Sequence, residues 1–216
     1  PFFVVLLVSF SVFAQSPPPN EPAAIYDFAT TLVTLKTPEE REQLLAQNRT
    51  LMTPGLRRAL ITQGNSQLLA GRYSTAFEIY GIARNVAERI GDKEGLATAW
   101  LDIGTVYYFQ ANYPAAYEHY TKARELFIEV PNQYEAAKAL SGLALIYKEQ
   151  RRDADALSTF EQVLKEFTSL GDKEEVSNTL NMIGAIHYGQ RNYSAAADAF
   201  LKSSEANGNA DSVVRL

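Results

Sequence analysis

The sequence predicts an all-α fold, a right-handed superhelical solenoid of antiparallel helix-turn-helix hairpins. Three observations support this prediction. Four segments of the 216-residue chain align without insertions, at a constant step between their starts at Leu60, Trp100, Leu140 and Leu180. Apolar residues within each segment recur at spacings of 3, 4 and 7, which fit a helix and not a strand. A short polar or small-residue turn divides each segment into two helices.

Residues 1–14 are predicted to be a signal peptide whose positively charged start is missing. Phe2 to Ala14 is an uncharged apolar run, shorter than the roughly 17–25 residues that span a bilayer. Val12 and Ala14 suit a cleavage before Gln15. An uncleaved membrane anchor that has lost its first residues is the alternative, and only in that case would the membrane be a partner.

Residues 15–22 are predicted to be a Pro-rich linker, because three consecutive prolines favour a stiff, extended spacer. Residues 23–52 are predicted to form one or two N-terminal capping helices, which cover the open end of a solenoid. Thr37-Pro38 and Thr53-Pro54 are both helix starts, with threonine as the N-cap and proline as the first helical residue.

Small residues and rings occupy fixed columns of the four segments. A tiny residue stands four positions after the large first residue, at Gly64, Gly104, Ala144 and Gly184. Because glycine costs a helix about 1 kcal/mol relative to alanine, we expect the neighbouring helix backbone to approach closely there. A ring follows the turn in every segment, at Tyr80, Tyr120, Phe160 and Phe200.

This pattern resembles the tetratricopeptide repeat, most fully in the second segment at Trp100, Ile103, Gly104, Tyr107, Tyr113, Ala116, Tyr120 and Ala123. The resemblance covers residues 56–206, and the 40-residue period resembles a longer-helix subclass with exported bacterial members. It implies four repeats at residues 53–210 (53–92, 93–131, 132–171 and 172–210), with the start of a truncated fifth repeat at 211–216.

The junctions between repeats depart from the family, since the proline that usually closes a unit is missing. Gly91-Asp92-Lys93-Glu94 and Gly171-Asp172-Lys173-Glu174 take its place, and the two junctions lie two periods apart. We expect each glycine to end a helix in the left-handed conformation and each aspartate to be the N-cap of the next helix.

The composition argues against several classes of function. The net charge of −5 and the lack of a basic stripe argue against nucleic acid as a partner. Arg57-Arg58 and Arg151-Arg152 are interpreted as solvated turn or helix surface. The absence of cysteine excludes a disulfide, a zinc-thiolate site and a cysteine nucleophile within this chain.

No recognisable catalytic motif is present in the sequence. His187 occupies the ring column of Tyr107 and Tyr147 and is interpreted as a packed substitute for tyrosine, whereas His119 is expected on the surface. Neither histidine has a partner four residues away that would make a metal pair. We therefore predict no catalytic residue, no metal site, no cofactor and a protein that is not an enzyme.

The resemblance implies that the first helix of each repeat lines a concave groove, at its second, fifth, ninth and twelfth positions. These groove positions are Arg58, Ile61, Asn65, Leu68, Thr98, Leu101, Thr105, Tyr108, Lys138, Ser141, Leu145, Lys148, Asn178, Asn181, Ala185 and Tyr188. Their apolar centre and polar edges suit a protein or peptide partner. A family subset that clamps a C-terminal carboxylate is excluded, because Ile61 replaces its lysine and Asp102 replaces its asparagine.

The function predicted from these observations is an interaction module outside the cytoplasm, periplasmic or secreted, in a bacterium. An alternative from another class is the regulatory or substrate-docking N-terminal arm of a larger exported enzyme. Exported arrays with such junctions resemble bacterial proteins that carry a caspase-like peptidase domain after the repeats.

Overall fold

A computed structural model describes residues 23–208, which contain ten α-helices, one 3-10 turn at Arg49–Leu51 and no strand. The helices are α1 Ala23–Thr34, α2 Pro38–Gln47, α3 Pro54–Leu69, α4 Tyr73–Ile90, α5 Lys93–Phe109, α6 Tyr113–Glu129, α7 Gln133–Glu149, α8 Asp153–Leu170, α9 Lys173–Gly189 and α10 Tyr193–Ala206. The all-α prediction is confirmed. The predicted signal peptide, linker and fifth-repeat start, at 1–14, 15–22 and 211–216, lie outside the described residues.

Local capping fixes where the N-terminal helices begin. The Thr37 side chain accepts a hydrogen bond from the Glu40 backbone N–H at 3.2 Å, and the Glu40 carboxylate accepts one from the Thr37 backbone N–H at 3.2 Å. Thr53 caps α3 by accepting from the Leu56 backbone N–H, also at 3.2 Å. Both predicted helix starts are confirmed, because each threonine satisfies a backbone donor that the helix leaves open.

The two glycine-aspartate junctions have the predicted geometry. Gly91 and Gly171 end α4 and α8 with φ of 69° and 73°, a conformation that glycine adopts without steric cost. Asp92 accepts from the Gly95 backbone N–H at 2.8 Å, and Asp172 accepts from that of Glu175 at 2.9 Å. Each short junction therefore ends one hairpin and starts the next.

The glycine column makes a close contact, but with a ring and not with a backbone. A Cβ atom added to Gly64 would lie 2.7 Å from Cδ1 of Tyr80, and one added to Gly104 would lie 2.9 Å from Cδ1 of Tyr120. The expectation that two helix backbones touch at these glycines was wrong. The missing side chain leaves room for the buried ring that the second helix of the same hairpin supplies.

The contacts divide the described residues into an N-terminal unit that ends at Asn132 and a C-terminal unit that begins at Gln133. In the N-terminal unit, α1 packs on α3, and α3 to α6 pack consecutively. One apolar cluster joins α1 and α2 to the first hairpin and consists of Ile25, Phe28, Ala29, Leu32, Leu45, Leu56, Ala59, Leu60, Ile79, Ile82, Ala83 and Val86.

The C-terminal unit consists of two further hairpins, α7–α8 and α9–α10, with α8 also packed against α9. Its largest fully buried side chains are Ile146, Phe160 and Phe167. The last hairpin also buries a polar pair, in which the Ser177 and Ser203 hydroxyl oxygens lie 2.7 Å apart. Ser203 donates to the Ser177 carbonyl or to its hydroxyl, so the pair is satisfied within the hairpin.

Candidate binding surface

In the N-terminal unit, α3 and α5 carry the first eight predicted groove residues. Arg58 is exposed, whereas Ile61 and Leu68 are half-buried. These two apolar side chains pack against a buried cluster that links the first two hairpins, made of Ala76, Tyr80, Ile103 and Val106. They therefore support the hairpin contact while keeping part of their apolar surface exposed.

In the first two repeats, the residue at the ninth position of the first helix is hydrogen-bonded to the ring that follows the turn. The Tyr80 hydroxyl donates to Oδ1 of Asn65 at 2.5 Å, and the Tyr120 hydroxyl donates to Oγ1 of Thr105 at 3.3 Å. In the C-terminal unit the equivalent pairs, at the same places of the third and fourth repeats, are Leu145 with Phe160 and Ala185 with Phe200. A hydroxyl is present where the ninth residue can accept a hydrogen bond, and a phenyl ring where it cannot.

Burial keeps both hydroxyls in their donor form. It raises the pKa of Tyr80 and of Tyr120, and the charge of Asp102 raises the pKa of each further. Thr105 in turn donates to the Leu101 carbonyl at 3.1 Å and is only 7% exposed. Leu101 is buried as well. Thr105 and Leu101 therefore lie below the surface of the predicted groove and expose little area to a partner.

Thr98 and Tyr108 are the two remaining groove positions of α5, and both are half-buried. The Tyr108 ring centroid lies 5.8 Å from that of Phe109 and 6.0 Å from that of Tyr113. Aromatic pairs at these distances attract one another. Tyr108 is thus held at the turn end of its hairpin with part of its ring exposed.

In the C-terminal unit, α7 places Lys138, Ser141 and Lys148 half-exposed and buries Leu145. The Lys138 ammonium lies 3.1 Å from the Glu135 carboxylate and 5.5 Å above the Tyr134 ring. Lys138 is therefore oriented by a neighbouring charge and an aromatic face.

A half-buried carboxyl group lies beside Lys138 at the start of α9. Glu175 accepts a hydrogen bond from the Tyr134 hydroxyl at 3.3 Å. Burial raises the pKa of Glu175, against the hydrogen bonds from Asn178 and Tyr134 and the charge of Lys138, which lower it. The same burial, together with the charge of Glu175, raises the pKa of Tyr134.

The four groove positions of α9 lie on one face of that helix. Asn178, Asn181 and Ala185 are half-buried, and Tyr188 is 63% exposed. The buried residues of the same helix are Ser177, Thr179, Leu180, Gly184 and Ile186. Tyr188 also contacts Tyr193 of α10, a residue that was not predicted to line the groove, with 5.5 Å between ring centroids. The signal for Tyr193 was present, because it repeats Tyr73 and Tyr113 at the start of a second helix.

Two side chains expected on the surface take part in packing. His119 lies beside Trp100 and Tyr107, with ring centroids 4.8 Å and 5.0 Å away. The Nε atom of Arg57 donates to Oδ2 of Asp92 at 2.8 Å, and both side chains are more than four-fifths buried. Both expectations were wrong, because each side chain packs on residues of a neighbouring helix or junction, which a repeat pattern alone does not specify.

Residues 23–208 hold no group of three or more histidine, cysteine or acidic side chains arranged to bind a metal ion. In the same part of the chain, none of the helices combines the length and the apolar character required to cross a membrane.

The family model described as "Tetratricopeptide repeat" matches residues 55–129 and 135–207 of this chain. A search of curated proteins found no match to the sequence of this chain.

Solved structures share the fold at low sequence identity. BtubC from P. vanneervenii is 17% identical with a TM-score of 0.63, covering 79% of this chain and 73% of that one. The Rap conjugation gene regulator of plasmid pLS20, in complex with the Phr* peptide, is 17% identical with a TM-score of 0.62, and the match covers 80% of this chain and 46% of that one. Aspartyl phosphate phosphatase F from Bacillus subtilis is 16% identical with a TM-score of 0.66, and the match covers 86% of this chain and 50% of that one. The chain thus spans about half the length of the last two proteins.

Proposed function

Because this chain belongs to the tetratricopeptide repeat family, we propose that it is a protein- or peptide-binding scaffold whose partner lies along the exposed faces of the first helices. The observation that supports this proposal is the α9 face made of Asn178, Asn181, Ala185 and Tyr188, where Asn178, Asn181 and Tyr188 stay accessible while five other residues of the same helix are buried. The pLS20 regulator, solved with a bound peptide, supports the same kind of partner.

The chemistry of the α9 face suits an extended peptide. An asparagine amide can both donate to and accept from a peptide backbone, which offers one donor and one acceptor per residue. The Asn181 side chain makes no hydrogen bond to another described residue. Tyr188 adds an aromatic surface of the type that often dominates interface energies.

We propose to test this function with peptides selected from a random dodecapeptide library on the purified chain. Replacing Asn181 and Tyr188 together by alanine should weaken the selected peptide at least tenfold, since an aromatic hot spot contributes about 2 kcal/mol. Ile128→Ala is the matched control, because Ile128 is also 63% exposed but lies on a second helix. Equal affinity of the double variant and the parent would contradict binding on the α9 face.

We further propose that the protein acts outside the cytoplasm, as a member of a longer-helix, exported bacterial subclass. The apolar run at 1–14 supports this proposal. Mass spectrometry of the mature protein from its host should find Gln15 at the N-terminus. An intact N-terminus in the membrane fraction would instead support an uncleaved anchor.

A second candidate is a docking arm of a larger exported enzyme. The glycine-aspartate junctions at 91–94 and 171–174 favour it, because they resemble those of exported arrays that precede a caspase-like peptidase domain. The complete gene distinguishes the two functions, since a following Cys–His peptidase domain would establish the enzyme and further repeats followed by a stop codon would establish the scaffold.

A further inference from the structure

Two arginines at the turns of the C-terminal unit occupy a backbone conformation that suits glycine. Arg151 and Arg191 have φ of 60° and 62°, and both side chains are exposed. The equivalent residue of the first hairpin is Gly71, with φ of 71°. In the left-handed region a side chain crowds its own backbone, so each arginine strains its turn.

The two turns lie next to each other. Gln190, which precedes Arg191, donates from Nε2 to Oδ2 of Asp153 at 3.3 Å. Asp153 stands two residues after Arg151. A hydrogen bond between the two turns therefore brings both arginines to the same edge of the C-terminal unit.

Lys148 and Arg152, the other cations near these turns, are already paired with carboxylates. Lys148 lies 3.1 Å from the Glu149 carboxylate, and the Arg152 Nε atom lies 2.8 Å from that of Asp155. The Asp153 carboxylate accepts from Gln190. By contrast, the side chains of Arg151 and Arg191 make no ion pair or hydrogen bond with any residue in 23–208.

Exposed aromatic surface lies beside these two cations. Tyr188 and Tyr193 are 63% and 59% exposed and flank Arg191 in the sequence. The centroids of their two rings lie 5.5 Å apart. Arginine and tyrosine are the residue types that, with tryptophan, carry most of the energy at protein interfaces. We call Arg151, Arg191, Tyr188 and Tyr193 the turn patch.

We infer that the turn patch binds a short acidic segment of a partner protein. Its two guanidinium groups have the fork geometry that pairs with carboxylates, and its tyrosines can pack against the apolar parts of the same segment. This surface is distinct from the α9 face, with which it shares only Tyr188, and the inference does not depend on the proposed function.

A short segment fits better than an extended polyanion. Residues 133–208 contain eight lysines and arginines and eleven aspartates and glutamates, a formal charge of −3. A membrane surface or a nucleic acid would bring many negative charges towards this acidic unit. A short segment brings only a few carboxylates, which can be placed against the two exposed guanidinium groups at the turns.

The backbone strain makes a clean test possible. The double substitution Arg151→Gly and Arg191→Gly removes both charges and the backbone strain of both turns. The melting temperature should therefore rise by a few degrees. Loss of binding in this variant cannot then come from unfolding. Ala111→Gly is the matched control, because Ala111 occupies the same turn position with φ of 57° and carries no charge.

The probe is a fluorescein-labelled dodecapeptide of nine glutamates and three tyrosines, with the glutamine version as its control. Fluorescence anisotropy at low salt should show binding of the glutamate peptide by the parent and by the Ala111→Gly variant. The double glycine variant should bind it at least fivefold more weakly. Amide NMR shifts on titration should concentrate at residues 188–193.

Three outcomes would overturn the inference. The double glycine variant could bind the glutamate peptide as tightly as the parent does. The glutamine peptide could bind as well as the glutamate peptide. The parent could bind phosphatidylserine vesicles or single-stranded DNA, but not the peptide, in a manner that the double substitution abolishes.

Discussion

The contact between Gly64 and Tyr80 predicts that two chemically identical substitutions have opposite effects on stability. Gly64 and Gly81 are both helical glycines, and alanine is favoured over glycine by about 1 kcal/mol in a helix. Around Gly81 an added Cβ would meet no atom within 4 Å, whereas at Gly64 it would lie 2.7 Å from Cδ1 of Tyr80. We expect Gly81→Ala to stabilise the protein and Gly64→Ala to destabilise it.

The loss of stability expected for Gly64→Ala follows from the surroundings of the Tyr80 ring. Carbon atoms pack best at about 3.5–4.0 Å, so the ring must move by roughly 1 Å. It is fully buried and its hydroxyl is bonded to Asn65 at 2.5 Å. Overpacking costs about 1–3 kcal/mol and the weakened hydrogen bond about 1 kcal/mol. Subtracting the helix propensity of about 1 kcal/mol leaves a loss of about 1–3 kcal/mol.

Urea unfolding followed by circular dichroism measures both variants against the parent. Gly81→Ala should raise the free energy of unfolding by about 1 kcal/mol, and Gly64→Ala should lower it by about 1–3 kcal/mol. Adding Tyr80→Leu to both backgrounds removes the ring, so the difference between the two alanine variants should shrink. The reasoning is refuted if Gly64→Ala stabilises the parent as much as Gly81→Ala does.

Three further predictions rest on contacts described above. Gly104→Leu should lower the free energy of unfolding by about 3 kcal/mol, because it places a branched side chain against the buried Tyr120 ring; an unchanged denaturant midpoint would contradict this contact. Burial lowers the pKa of His119 below its ordinary value of 6.5, so stability should fall as the pH drops through 6.5, and His119→Gln should flatten that slope in melting curves. Burial raises the pKa of Glu175 because it disfavours the ionised carboxylate. Glu175→Gln should therefore melt at a higher temperature than the parent at pH 7, and this difference in melting temperature should vanish towards pH 4. A difference that stays constant with pH would mean that the charge of Glu175 is not responsible.

The sequence alone determined the class of fold and the position of most helix boundaries. Second helices begin at Tyr73, Tyr113, Asp153 and Tyr193, the same place in each repeat, as the aligned turns predict. Gly91 and Thr37 end and start helices where they were expected to. These features depend on interactions within about four residues of the chain, and such interactions can be read directly from residue types and spacing.

Only the tertiary structure decided which predicted groove residues stay accessible. Thr105 and Tyr188 occupy the ninth and twelfth positions of their first helices, yet one is buried under the Tyr120 hydroxyl and the other is exposed. The pairing of Arg57 with Asp92 depends in the same way on contacts between residues far apart in sequence. Periodicity fixes the face on which a residue lies, but the side chains that the neighbouring helices bring to that face determine whether it remains open to a partner.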